Sequence, residues 1–221
     1  MPDRYPVIVP FWHDVPHGQT IPDWLADSGT RLFAAVVAKL PALNWSDLTL
    51  DQSCGRENAP MWSKPTEVRC GTNVYRAAAF DGTLPDEIAA FDQAVVHMGW
   101  YDDSDAAATI RNFQDRNGKP WGDNHTFDAD DLQGLNYSGP TAKCDDPNTH
   151  EQWSLGESWV EAGVPLPITL QPPPTTSEAV DLDDLFHHST GPDIRKVVPT
   201  QLAAHHYVAI ISMDFFCDYH V

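Results

Sequence analysis

Glu67-Val-Arg-Cys70-Gly-Thr-Asn-Val-Tyr75-Arg-Ala-Ala-Ala-Phe80 leads through Asp81-Gly82 into Thr83-Leu-Pro85-Asp86-Glu-Ile88-Ala-Ala-Phe91-Asp-Gln-Ala-Val95-Val-His-Met98-Gly99-Trp100. The first part alternates as a half-buried strand does, and Asp-Gly ends it. Thr83 stands where a helix cap belongs, with Pro85 in the first turn and Asp86 three residues after the cap. Ile88, Phe91, Val95 and Met98 recur at helical spacing, and Gly99 occupies the position of a left-handed C-terminal cap. The stretch therefore predicts strand, turn and helix, with propensity, capping and periodicity in agreement. It is an architectural signal and carries no chemistry of its own.

The flanking segments extend this unit. Trp24, Leu25, Leu32, Val36 and Leu40 predict a helix that starts at Pro22 or Ser28 and is stopped by Pro41. Trp45 to Cys54 reads as a strand, with Leu48 and Leu50 alternating against Asp47, Thr49 and Asp51. Ala107 to Asp115 alternates enough for a short strand, and Val164 to Leu170 predicts another. Tyr207 to Cys217 is apolar almost throughout, as a central strand buried on both faces would be. The expected fold is α+β: an antiparallel or mixed sheet with two main helices on one face and a long loop-rich insertion over 118–163. The chain reads as a single domain over 1–221. Residues 1–21 form an extended, proline-studded N-terminal segment. Residues 171–205 read as a linker and a short acidic helix, around Asp181 to His187, before the final strand.

Composition narrows the functional classes. A chain of 221 residues can bury roughly 70% of its unfolded surface, so a core forms without metals. There are 32 acidic residues against 13 basic ones, a formal net charge of −19. That field opposes direct binding to nucleic-acid phosphates or an anionic membrane. Of the acidic residues 25 are Asp, which favours caps and turns, so the charge belongs mainly to loops. No run of apolar residues is long enough to span a membrane. Residues 1–20 lack the basic start and uninterrupted apolar core of a signal peptide, so either export by that route does not occur or a leader has been removed. Cys54, Cys70, Cys144 and Cys217 form no Cys-x-x-Cys pair, which argues against a zinc ribbon. Their even number in an acidic, loop-rich chain points to disulfides and to an extracellular, cell-surface or virion setting. Four free thiols would instead mean a cytoplasmic one.

From Asp27 to Trp100 the order of helix, Leu43-Asn-Trp45, a loop cysteine, Val68-Arg-Cys70, Tyr75-Arg, Phe80-Asp-Gly82, helix and Gly99-Trp100 resembles uncharacterised α+β domains of secreted or lipid-anchored actinobacterial proteins. The resemblance covers about a third of the chain. It implies no activity and carries over no site residue, but it does imply a Cys54–Cys70 bridge. Cys217, at the end of the last strand, could then bond Cys144.

Chemical signatures are sparse. Walker, Gly-x-Ser-x-Gly, His-Glu-x-x-His and Gly-x-Gly-x-x-Gly patterns do not occur. His13 and His17 have metal-ligand spacing, but Pro16 between them opposes a helix. The adjacent pairs His187-His188 and His205-His206 would point to opposite faces of a strand. Asp123, Asp128, Asp130 and Asp131 supply oxygen ligands of the kind calcium takes. They lack EF-hand spacing, and a solvated acidic loop is the simpler reading, so no cofactor is expected and calcium is the alternative. Glu157 and Glu161, one helical turn apart beside Trp153 and Trp159, form the carboxylate pair best suited to acid–base work or sugar contact.

The leading expectation is a non-enzymatic binding or structural module acting outside the cytoplasm, with a protein partner or by self-assembly. One alternative is a hydrolase with a carboxylate or metal site in the 118–163 loops. The other is an acidic mimic that inhibits a nucleic-acid-binding protein.

Overall fold

A computed structural model describes residues 21–56, 67–115, 134–143, 150–163 and 184–220. In chain order the elements are α1 (Ile21–Lys39), β1 (Asn44–Trp45), β2 (Thr49–Arg56), β3 (Glu67–Phe80), α2 (Leu84–His97), β4 (Tyr101–Asp102), α3 (Ala106–Asp115), β5 (Gly134–Lys143), β6 (His150–Glu161), β7 (Asp184–Thr190), α4 (Ile194–Leu202) and β8 (Tyr207–His220). The eight strands form one sheet in the order β4-β5-β6-β8-β3-β2-β7, with β1 also on β3. Every pairing is antiparallel. The architecture is α+β, as the sequence predicts.

β8 occupies the middle of that sheet. It pairs with β3 from Tyr207↔Phe80 to His220↔Glu67, and on its other side with β6 from Glu161↔Tyr207 to Ser154↔Asp214. Tyr207, Ala209, Ile211, Met213 and Phe215 alternate onto the face covered by α1, α2 and α3. Val208 and Ile210 point to the opposite face, where α4 supplies Val198, Ile194, Val197 and Leu202. A strand apolar on both sides is thus covered on both sides, at least over its first half. Phe215 also stacks on Trp153, with ring centroids 4.9 Å apart. On α1, Leu25, Phe33 and Val36 are fully buried. At Gly29 the helix lies so near the sheet that a Cβ would meet Val74 at 2.9 Å.

The 67–100 stretch folds as read. Thr83 caps α2, accepting from the Asp86 amide at 3.3 Å, and Leu84, Ile88, Phe91 and Val95 are buried. Gly99 adopts φ 89°, the left-handed conformation expected after the helix. The expected strand from Trp45 to Cys54 is broken instead. β1 and β2 both pair with β3, and at the break Ser46 engages Ala77 through its own N–H (2.8 Å) and through its hydroxyl (3.0 Å).

Three expectations are corrected. Residues 107–115 form helix α3, not a strand. Ala106, Ile110 and Phe113 reach the core at helical spacing, and the Asp102 carboxylate accepts from the amides of Ser104, Asp105 and Ala106. The 118–163 region, read as loop-rich, contains two long strands, β5 and β6. The short acidic helix around Asp181 to His187 is contradicted from Asp184 on by β7, which pairs with β2, and α4 lies within the span read as linker. The strand expected at 164–170 and the N-terminal segment before Ile21 lie outside the described residues.

Candidate functional site

Cys54 and Cys70 are directly opposite each other in the β2–β3 ladder, with sulfur atoms 2.02 Å apart, and both are buried. The backbone of Cys217 is opposite Cys70 on the next strand. Cys144 lies outside the described residues, as do Asp123, Asp128, Asp130, Asp131, His13 and His17. Among the described residues, no group of three or more His, Cys, Asp or Glu side chains is placed to hold a metal ion. No described helix is long and apolar enough to cross a membrane.

Glu157 and Glu161 do not form a pair. They lie four residues apart on strand β6, roughly 13 Å along the chain direction, rather than one turn apart on a helix. Glu161 sits at the strand end and meets Nε2 of His206 at 3.3 Å. Glu157 is 1% exposed and faces a different carboxyl, Glu87 of α2, itself 7% exposed. Strand alternation puts Glu157 in the inward row with Trp153, Leu155 and Trp159, while helical spacing carries Glu87 onto the buried side of α2 between Leu84 and Phe91.

Neither carboxyl has a conventional hydrogen-bond donor among the described residues. Burial comes first in raising both: it pushes Glu87 from 4.5 to about 7 and holds Glu157 well above the carboxylate range, where the Glu87 charge raises it further. Mutual contact offsets part of the effect on Glu87. Each carboxyl therefore favours its neutral form, and the ionisation of one opposes that of the other. Beside it, the Tyr137 hydroxyl donates to Asp92 at 3.2 Å. The phenol is held strongly toward its neutral form by burial first, then by Asp92, Glu157 and Asp102. Asp92 is raised by burial and by Asp102, against the Tyr137 bond.

A second polar cluster lies at the surface, where β3 ends. Asn44 donates its amide N–H to Nε2 of His205 at 3.2 Å, and His205 Nδ1 donates to Asp81 Oδ2 at 3.0 Å. The backbone N–H of His206 reaches the other Asp81 oxygen at 3.0 Å. The His205 bond and then the His206 bond hold Asp81 below the ordinary carboxylate range. This chain of donors and acceptors borders a cavity of about 390 Å³. Leu40, Leu43 and Phe80 contribute its apolar surface, and the cap residue Thr83 with Asp86, Glu87 and Ala90 of α2 forms a wall.

Sequence reasoning singled out Glu157 but paired it with the wrong residue, and it missed Glu87, Tyr137, Asp81 and Asn44. Glu87 stands one position before the apolar row of α2, a signal that alone looks like a solvated helix flank.

Comparison with protein-family models, with curated proteins and with solved structures finds no match to the chain.

Proposed function

We propose that this chain is a non-enzymatic binding module acting outside the cytoplasm, at a cell surface or in a virion, and that it engages a protein partner through the cavity beside α2. The observation that carries this reading is the cavity itself, with its apolar floor and its rim of Asp81 and Asp86. Its volume lies toward the low end of the range for small-ligand sites and also accommodates a side chain or two. The polar groups at the rim, Asn44, His205 and Asp81, already satisfy one another, so the surface offers shape and charge rather than a reactive atom. An acidic rim on a chain of net charge −19 favours a partner segment with an apolar anchor flanked by Lys or Arg. The buried disulfide supports the extracellular setting.

Selection from a displayed peptide library tests it. The reading requires enrichment of basic-flanked apolar peptides that is lost when Ala90→Trp fills the cavity. Equal enrichment on the filled variant, or none on either, contradicts it.

A hydrolase is the second reading, because Glu157 does meet a second carboxyl of raised proton affinity. Any substrate would have to displace α2 to reach it, since all four carboxyl oxygens are buried. Hydrolysis of a glycoside or ester panel that vanishes in Glu157→Gln would favour this reading over the first.

A further inference from the structure

Two carboxyls buried face to face between a helix and a sheet have three states: both protonated, sharing one proton, or both ionised. Only the first two suit a site with no donor and no counter-charge. The surroundings of Glu87 and Glu157 supply neither. Asp92 on α2, Tyr137 on β5 and Asp102 on β4 are the titratable neighbours within the core, and Asp81, Asp86 and His205 line the cavity that Glu87 also lines. Glu161 lies further along β6, and Tyr207 at the far end of β8. Arg76 stands in the inward row of β3 with Val74 and Ala78, but it lies over the Trp45 ring, 5.5 Å from its centroid, and beside Asp47. No Lys, Arg or His of the described residues acts on either carboxyl.

We infer that the Glu87–Glu157 pair is a proton-operated latch that holds α2 on the sheet while the pair keeps a proton and loosens α2 when both groups ionise. The step is a simple ionisation: an O–H bond breaks, the proton leaves to solvent and a second negative charge is left in the core. Repulsion between the charges, and their need for water, are both relieved when α2 lifts from β5 and β6. Because Thr83, Asp86, Glu87 and Ala90 wall the cavity, release of α2 opens that wall. The latch is independent of what the cavity binds. It makes α2 a docked element in acid and a mobile one in alkali.

Native-state amide exchange on the intact chain from pH 5 to pH 8.5 tests the latch, with each rate referred to its intrinsic value. Relative to Ile211 of β8, protection of the α2 amides should fall by about tenfold or more across that range. Glu87→Gln and Glu157→Gln, neutral at every pH, should each abolish the relative fall. Parallel protection of α2 and β8 throughout overturns the proposal, and so does an undiminished fall in the Gln variants. Should either variant fail to fold, the wild-type arm decides by itself.

Discussion

Asp81 and Glu157 are both carboxylic acids beside α2, yet the fold treats them in opposite ways. Asp81 is exposed at the end of β3 and receives bonds from His205 and from the His206 amide, so its charged form is favoured. Glu157 is enclosed between β6 and α2 and meets only another acid, so its neutral form is favoured. Water and donors, not residue type, set the protonation state of each. The two regions adjoin the same helix: α2 lines the cavity beside Asp81 and presses Glu87 onto Glu157.

The contrast depends first on α2 being docked. Phe91, one turn beyond Glu87, is fully buried and packs beside Tyr137 at a centroid distance of 5.7 Å. Phe91→Ala should cost about 3–5 kcal/mol in chemical denaturation at pH 5. A loss below about 1 kcal/mol would mean that α2 is not packed and that the carboxyl pair is not buried.

Next comes the pair itself. Glu87 is raised from 4.5 to about 7, so the stability its burial allows is fully present below about pH 4.5 and is lost as pH rises through about 7. Glu157, raised further, extends the loss to higher pH. Glu87→Gln should therefore be near neutral at pH 4.5 and stabilising at pH 8 by on the order of 3 kcal/mol. Urea midpoints of the two proteins across that range check the sign. A variant that is destabilised equally at both ends would break the contrast.

Tyr137→Phe removes the hydroxyl that donates to Asp92 in a half-buried site, an expected loss of about 1 kcal/mol. It should also lower the pH at which Glu87 and Glu157 ionise very little, because the neutral phenol adds no charge. Asp81→Asn should have the smallest effect of the four. Asp81 is depressed, so its contribution is present above the ordinary carboxylate range and is lost as pH falls. Its substitution should move the urea midpoint slightly at pH 7 and progressively less as pH falls below the ordinary carboxylate range, the reverse of the Glu87→Gln profile.

The strand–helix unit at 67–100 and the central β8 were legible because most of their inward residues are apolar, so periodicity and burial coincide despite Thr72, Arg76 and Glu87. β6 was not, although Trp153, Leu155, Glu157 and Trp159 keep strict alternation. An acid in the third inward slot breaks the apolar pattern, and the surrounding glycines and serines look like loop. The position that hid the strand is the one that holds the buried carboxyl, where local pattern and site chemistry conflict. α3 was misread for a different reason. Three successive alanines fit either period, and its start is set by the Asp102 and Asp105 carboxylates, a capping arrangement that only the turn geometry reveals. The Asn44–His205–Asp81 chain joins positions 161 and 124 residues apart, beyond any local signal.

Carboxyl ¹³C titration of Glu87 and Glu157 in the folded protein tests the central contrast most directly. The account predicts that the two signals move together as a coupled pair, with the first ionisation near or above pH 7, while Asp81 titrates below the ordinary carboxylate range. Independent titration of both glutamates at about pH 4–5, as in a model peptide, would contradict it.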